Sequence, residues 1–396
     1  MTIKKINAIY FLILLAYGAV DKIYGSSFME ILYSSGIGVG LISVLLSIED
    51  FLLLVFEFPS GMIADRIGRK KASAIGLFVL MLGYIAFIVS KNFLVFVLAA
   101  ILKSAGNALF SGSPQSWYYE ELKEKDALKE RETIIPVLRG VMNAVCIGVL
   151  LLCTMFFAAS RTLPMLLAIA ILGVVSVVTL VVGKDNYGTI REENGSGWKE
   201  VVSIFSHPVF RRLAGFNMLF TIPYAVFILT WQLILLEHFH QNASIISSMM
   251  IAIMGVFALA SFVTTALLKR WKQTTLIKAT LAVLTGVCVL IAQVRSLGVY
   301  IALVLLFEGA LGMYMTLEDI WMQEQIPSEN RAGFYSAVNA FTALANALVL
   351  MGLGWIVQHT SLFFVYWIAA IVESMALLYF VYRLERQLYR KSSIKS

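Results

Sequence analysis

Twelve long apolar runs follow one another along the chain, and they limit its possible folds more than any other feature. Each run is at least about as long as a helix that crosses the hydrocarbon layer of a bilayer, roughly 20 residues. Backbone N–H and C=O groups in lipid must be paired within the segment, so the runs are predicted to be helices. They lie at about residues 6–29, 36–63, 71–90, 93–120, 132–158, 162–183, 208–237, 243–268, 275–293, 297–324, 332–357 and 361–384.

The composition is that of a membrane protein. Only 14% of the 396 residues are charged, 60% are apolar and the mean hydropathy is +0.84, whereas about 25% of a soluble domain is charged. The net charge of +7 does not indicate nucleic-acid binding, because the sequence has no zinc-finger spacing and no aromatic-plus-basic stretch. The sequence therefore predicts an all-α membrane protein with twelve transmembrane helices embedded in the lipid bilayer.

The basic residues indicate the orientation of these helices. With a cytoplasmic N-terminus, the outer connections hold only Lys91, Arg161 and Arg295 of the 31 basic residues, and the others lie in the inner connections and termini or within predicted spans. Basic residues are enriched on the cytoplasmic side of membrane proteins, so both termini are predicted to be cytoplasmic. The short loops and the lack of a clear cleavage site after the first run favour a multi-pass protein of the bacterial cytoplasmic membrane.

A polar stretch at residues 184–207 divides the chain into two sets of six runs. We predict a six-helix bundle at residues 1–183, a cytoplasmic linker at 184–207, and a second bundle with a short cytoplasmic tail at 208–396. A weak repeat supports this division, because Trp-x-x-Glu occurs at Trp117–Glu120 and again at Trp321–Glu324. Two repeated six-helix halves are typical of one large class of transporters.

The connection between the second and third runs carries the most informative motif. It reads Gly61-Met-Ile-Ala-Asp65-Arg66-Ile-Gly68-Arg69-Lys70-Lys71. At every defining position it resembles the signature loop of the major facilitator superfamily, Gly-x-x-x-Asp-Arg-x-Gly-Arg-Arg/Lys. The preceding Glu57-Phe-Pro-Ser60 looks like the variant found in bacterial efflux-type members. The resemblance implies two six-helix bundles of the major facilitator fold that work by alternating access.

A conformational gate is expected at this loop. A glycine near a helix end permits close packing, and a carboxylate can accept hydrogen bonds from the N-terminus of a neighbouring helix. The resemblance implies that Asp65 meets the start of the eleventh helix, near Arg331 to Gly333. The basic residues can pair with acidic groups at nearby helix ends, although they could also serve only to set the topology. The expected gate residues are Gly61, Asp65, Arg66, Gly68, Arg69, Lys70, Glu120 and Glu121.

Ionisable residues within the spans are the candidates for ion coupling, because charges at membrane depth are costly and mark a pathway. They are Asp21, Lys22, Glu49, Asp50, Lys103, Arg139, Glu308 and Glu373. In the family, spans one, four, seven and ten line the cavity, and spans two, five, eight and eleven flank it. This arrangement favours Asp21, Asp50, Arg139 and Glu308. Asp21 or Asp50 is the expected proton carrier, with Arg139 as counter-charge. The alternative is a permanent ion pair of Asp50 with Lys22, Lys103 or Arg139.

Polar and aromatic residues of the seventh run complete the candidate substrate site: Asn217, Tyr224 and Trp231. Aromatic and methionine-rich walls suit an amphipathic solute, although many of the aromatic residues must be packing groups or interfacial anchors. No metal or cofactor is expected, because the three cysteines lie in apolar runs without metal-ligand spacing and no phosphate-binding loop occurs. The sequence shows no catalytic arrangement either, so an enzyme is not expected.

These features predict a monomeric secondary transporter that exports a small amphipathic or drug-like compound in exchange for protons, with Na⁺ as the alternative coupling ion. The fifth run lacks the Gly-Pro stretch of many family exporters, which weakens the evidence for drug/proton exchange. The rival transport function is import or facilitated exchange of a polar nutrient or metabolite. From other classes, a non-transporting receptor or sensor on the same fold and an intramembrane lipid transferase remain alternatives.

Overall fold

The computed structural model describes residues 1–187, 205–325 and 331–385, and within these ranges all regular secondary structure is helical. Single π-helical stretches follow the eighth helix, at Ile234–His238, and the last helix, at Phe380–Glu385. The helices are α1 (Ile3–Ser34), α2 (Val39–Ile67), α3 (Arg69–Val89), α4 (Phe93–Phe110), α5 (Ser113–Glu124), α6 (Glu130–Ala159), α7 (Leu163–Val181), α8 (Pro208–Leu233), α9 (Ala243–Leu268), α10 (Gln273–Ile291), α11 (Leu297–Gln325), α12 (Arg331–His359) and α13 (Phe364–Tyr379).

Among the described residues, twelve segments are long and apolar enough to cross a membrane, which confirms the twelve predicted spans. The fourth span differs from the continuous run that the sequence predicts, because α4 and α5 share it and are separated at Ser111 and Gly112. Gly112 has a φ of +73°, a conformation that glycine adopts without strain. Pro114 lies in the first turn of α5, where its missing N–H removes no helical hydrogen bond.

The chain forms two compact units. Unit 1 comprises Met1–Glu192 and Gln241–Ile251, and unit 2 comprises Glu193–His240 and Ala252–Ser396. Unit 1 thus includes the start of α9 as well as the first six spans, and there the Ser244 hydroxyl donates to the Thr154 carbonyl oxygen over 3.2 Å. Most of the predicted linker, residues 188–204, lies outside the described residues.

In unit 1, α3 is central and packs against α2, α4, α5 and α7. Small residues let α3 and α4 approach closely, since a Cβ atom added at Gly106 would lie 2.7 Å from the Leu80 backbone nitrogen. A Cβ atom added at Gly76 would lie 2.8 Å from the Gly106 carbonyl oxygen. At Gly61, where the sequence predicts close packing, no described atom lies within 4 Å of an added Cβ. The close helix contact therefore lies within the span and not at the signature loop.

In unit 2, α8 packs against α12 and α13, and α10 packs against α11 and α13. Aromatic side chains fill one end of this unit, where the Phe216 ring centroid lies 5.9 Å from that of Trp321 and 5.6 Å from that of Phe380. A buried hydrogen bond holds the other end, where the Tyr300 hydroxyl donates to the Trp231 carbonyl oxygen over 2.9 Å. The fully buried Glu373 lies on α13 within this packed core.

Candidate functional site

The signature loop between α2 and α3 is held by a carboxylate from a distant part of the chain. Gly68 has a φ of +106°, which side chains other than glycine rarely adopt, and α3 starts at the next residue. The Asp185 carboxylate accepts hydrogen bonds from the backbone N–H groups of Lys70, at 2.8 Å, and Lys71, at 2.9 Å. Asp185 therefore caps the N-terminus of α3, where N–H groups lack helical partners and the dipole favours an anion.

The Lys70 side chain caps a second helix from the same loop. Its ammonium group donates to the carbonyl oxygens of Thr179, Leu180 and Val182 at 2.8, 3.2 and 3.1 Å. These oxygens lie at the C-terminal end of α7, where carbonyl groups lack helical partners and a cation is favourable. Lys70 is 2% exposed. It therefore joins α3 to α7 through backbone oxygens, whereas the sequence predicts a pair with a carboxylate.

Arg69 forms two ion pairs at the loop, and the pair with Glu120 is one that the sequence predicts. Its guanidinium group lies 3.0 Å from the Asp65 carboxylate and 3.8 Å from that of Glu120. Glu121 instead accepts a hydrogen bond from the side-chain amide of Asn186 over 3.1 Å, while Arg66 is exposed. Arg69 therefore contacts carboxylates of α2 and α5, whereas Glu121 contacts the segment that follows α7.

The carboxylate that caps α3 is Asp185, which the sequence pattern does not indicate. Asp185 lies more than a hundred positions after Lys70 and Lys71 in the chain, so no spacing pattern indicates this contact. The only local signal is an aspartate directly after the end of a span, in Gly183-Lys184-Asp185. The predicted partners of Asp65 at 331–333 have side chains outside those that the structure describes.

Three spans of unit 1 meet at a shielded ion pair. The Glu49 Oε2 atom on α2 lies 2.5 Å from the Lys103 Nζ atom on α4, and the other carboxylate oxygen accepts from the Tyr24 hydroxyl on α1 over 3.0 Å. The side chains of Glu49 and Lys103 are only 11% and 18% exposed. The sequence offers Asp50 as the partner of Lys103. The observed partner is its neighbour, whose side chain leaves the helix about 100° away.

Aromatic rings surround this ion pair. The Lys103 ammonium group lies 4.0 Å from the centroid of the Tyr24 ring and 5.9 Å from that of Phe28. Tyr24 stacks on Tyr84 of α3, with centroids 5.0 Å apart, and Phe28 stacks on Phe87, at 5.6 Å. A ring face attracts a cation more strongly when water is excluded. Lys103 thus has two kinds of partner, a carboxylate and the aromatic rings.

Other candidates of unit 1 lie outside this cluster. Asp21 pairs with the adjacent Lys22 at 3.1 Å, and the Asp21 side chain is 55% exposed. Arg139 on α6 is also exposed. Near Asp21, the Tyr17 hydroxyl donates to the Asn107 side-chain oxygen over 3.3 Å. Asp21 therefore lies on a face of α1 that its own unit leaves uncovered.

In unit 2 the predicted residues do not form one cluster. The side-chain amide nitrogen of Asn217 on α8 lies 4.0 Å from the Met322 sulfur on α11. Glu318, an acid of α11, is half-buried near the end of the same span and is not among the residues that the sequence predicts. Trp231 is buried, and its backbone oxygen accepts a hydrogen bond from a tyrosine of α11. Tyr224 is half-buried. Glu308 forms no ion pair and no side-chain hydrogen bond with the residues described.

Known proteins share this architecture. The nucleoside transporter NupG is similar with a TM-score of 0.77 and 13% identity, over 96% of this chain and 98% of that one. The D-xylose-proton symporter gives 0.71 and 13% identity, over 96% and 97% of the two chains. The human organic anion transporter MFSD10 gives 0.59 and 13% identity, over 95% and 99%.

No curated protein sequence matches the chain. At 13% identity, the structural similarity shows the fold alone. The sequence profile of the Major Facilitator Superfamily, in contrast, matches residues 8–350, which is most of the chain. The protein therefore belongs to the major facilitator superfamily and is a multi-pass membrane transporter.

Proposed function

We propose that the protein is a proton-coupled secondary transporter that exports a small amphipathic compound by alternating access. The observation that carries this proposal is the Glu49–Lys103 ion pair with its Tyr24 hydrogen bond, which joins three spans of unit 1. Ionisable groups at membrane depth are costly and mark ion pathways in transporters. A carboxylate that can exchange a lysine partner for a proton provides a coupling site without a cofactor.

Proton binding at Glu49 changes the charge of the whole cluster. The proton neutralises the Glu49 carboxylate, and the Lys103 ammonium group keeps the aromatic rings of Tyr24 and Phe28 as its described partners. The electrostatic attraction between Glu49 on α2 and Lys103 on α4 is then lost. A ligand shifts a conformational equilibrium by its differential affinity for the two states. Proton binding at Glu49 thus favours the conformation in which the ion pair is broken. Proton release favours the conformation in which the ion pair is formed.

The remaining candidates are proposed as substrate contacts or secondary coupling groups. Asp21 is exposed within its unit and lies near Tyr17, which stacks on Phe110 with centroids 4.2 Å apart. A carboxylate beside stacked rings suits a solute with an apolar body and a polar or cationic end. The further proposed contacts are Asp50, Arg139, Glu308, Asn217, Tyr224 and Trp231.

The direction and setting of transport are also proposals. Export is supported by the efflux-like residues before the signature loop, and import of a polar nutrient is the rival. We propose that the loop and its partners on α5 act as the conformational gate. Both termini and the linker at 184–207 are proposed to lie in the cytoplasm of a bacterial cell, with bundles at residues 1–183 and 208–396. A single chain is proposed to form the pathway.

The coupling proposal is tested in proteoliposomes with an imposed pH gradient. Lipophilic cations, neutral amphiphiles and small polar nutrients are screened while internal pH is followed. We expect substrate-dependent proton flux with the wild type. Glu49→Gln should retain exchange of labelled for unlabelled substrate but lose proton flux. Glu124→Gln, at an exposed acid on α5, is the matched control and should behave as the wild type.

The same assay separates the alternatives. Proton flux that persists in Glu49→Gln but is lost in Asp21→Asn or Asp50→Asn would assign coupling to those carboxylates. Substrate movement with no proton flux in any variant, with or without a Na⁺ gradient, would contradict coupled transport and indicate a facilitator. Substrate and protons moving in the same direction would contradict export by exchange.

A further inference from the structure

An acidic group that the proposed function does not use lies in the interior of unit 2. Glu373 lies in the middle of α13 and is 0% exposed. Neither of its carboxyl oxygens has a hydrogen-bond partner among the described residues. Its helix packs against α8 and α10. Buried polar atoms without partners are rare in folded proteins, and each one calls for an explanation.

Among the described residues, no lysine, arginine or histidine forms an ion pair with this carboxyl group. Burial of an unpaired carboxylate costs so much free energy that the group takes up a proton instead. We therefore expect the carboxyl group of Glu373 to keep its proton.

We propose that Glu373 is a proton-binding site of unit 2 and that its carboxyl group is protonated in the resting protein. The site does not depend on the function proposed for Glu49.

Infrared spectroscopy of the purified full chain in liposomes tests the site without any substrate. We expect a carbonyl stretching band of a protonated carboxylic acid that shifts in D₂O, is absent from Glu373→Gln and is retained in Glu49→Gln. Glutamine has nearly the same shape as the neutral acid, so this variant should fold. Loss of carboxylate bands in Glu373→Gln, or no difference from the wild type, would overturn the proposal.

A second measurement uses the wild-type protein alone. A hydrophobic carbodiimide reacts with a protonated acid in apolar surroundings, because the acid proton passes to a carbodiimide nitrogen as the carboxyl oxygen adds to the central carbon. Peptide mass spectrometry should find the adduct at Glu373 and not at the exposed Glu237. A water-soluble carbodiimide should leave Glu373 unmodified. Labelling of Glu237 but not Glu373 by the hydrophobic reagent would contradict the site.

Discussion

At the scale of single residues, adjacent positions on α2 have different environments. Glu49 and Asp50 are neighbours in the sequence, but their side chains leave the helix about 100° apart, and Glu49 is the one that meets Lys103. A shielded charge is tolerated when it is paired and hydrogen-bonded. The partners of Glu49 come from α1 and α4, so the pair depends on how three spans pack.

Loss of one member of the Glu49–Lys103 pair should cost more than half of the unfolding free energy that the loss of both members costs. Glu49→Gln leaves a shielded ammonium group, and Lys103→Met leaves a shielded carboxylate, so each should cost about 3 kcal/mol of unfolding free energy. The double variant should cost clearly less than the two single costs combined. Unfolding of the purified protein by a denaturing detergent measures this, and additive single costs would show that the two charges are not coupled.

The sequence is informative about which residues are candidates but not about their partners. Charges inside apolar runs are visible in the sequence, and Glu49 and Lys103 were both found in this way. Whether Glu49 or Asp50 faces Lys103 depends on the rotation of α2 against α4, which the sequence pattern does not determine. Glu318 lies near the end of a span, where charges are ordinary, so nothing distinguished it.

At the scale of secondary structure elements, helix ends in unit 1 are stabilised by side chains from elsewhere in the chain. Lys70 caps α7, and Asp185 caps α3. Both contacts join residues more than a hundred positions apart, so local capping patterns could not predict them. The twelve spans, in contrast, follow from apolar length alone and were predicted to within a few residues.

Two neighbouring lysines of the loop should respond differently to the same change. Lys70→Met removes three hydrogen bonds to backbone oxygens and should destabilise the protein by about 1–3 kcal/mol. Lys71→Met removes an exposed side chain and should change stability by less than about 0.5 kcal/mol. Thermal unfolding of both variants in detergent measures the difference. Equal effects would show that the Lys70 contacts contribute no stability.

The close contact between α3 and α4 leads to a second comparison. Gly106→Ala places a methyl group against the backbone of α3, so the helices must separate, at a cost of about 1–3 kcal/mol. Gly140→Ala on α6 meets no described atom within 4 Å. It should be neutral or stabilise the helix by up to about 1 kcal/mol. Melting temperatures test this, and a neutral Gly106→Ala would show that the contact is loose.

At the scale of the whole molecule, the distribution of basic residues predicts which connections face each side of the membrane. Single cysteines that replace Lys91 or Arg295 should react with a membrane-impermeant maleimide added outside intact cells. Cysteines that replace Lys125 or Arg270 should react only after the cells are opened. The wild type is the control, because Cys146, Cys153 and Cys288 are buried. The opposite pattern would contradict cytoplasmic termini.

The hydrogen bonds of Asp185 and Asn186 hold the chain against unit 1 beyond the end of α7. Arg69 N–H donates to the Asn186 carbonyl oxygen over 3.0 Å, and the Asn186 amide donates to the Trp117 carbonyl oxygen over 3.0 Å. The chain is thus held against α3 and α5 up to Asn186, and not only up to Val181, the end of α7. An extended residue spans at most about 3.6 Å, so fixing residues 182–186 removes up to about 18 Å from the distance that the following chain could bridge. A pull on the chain after Asn186 would be borne first by the hydrogen bonds of Asn186 to Arg69 and Trp117.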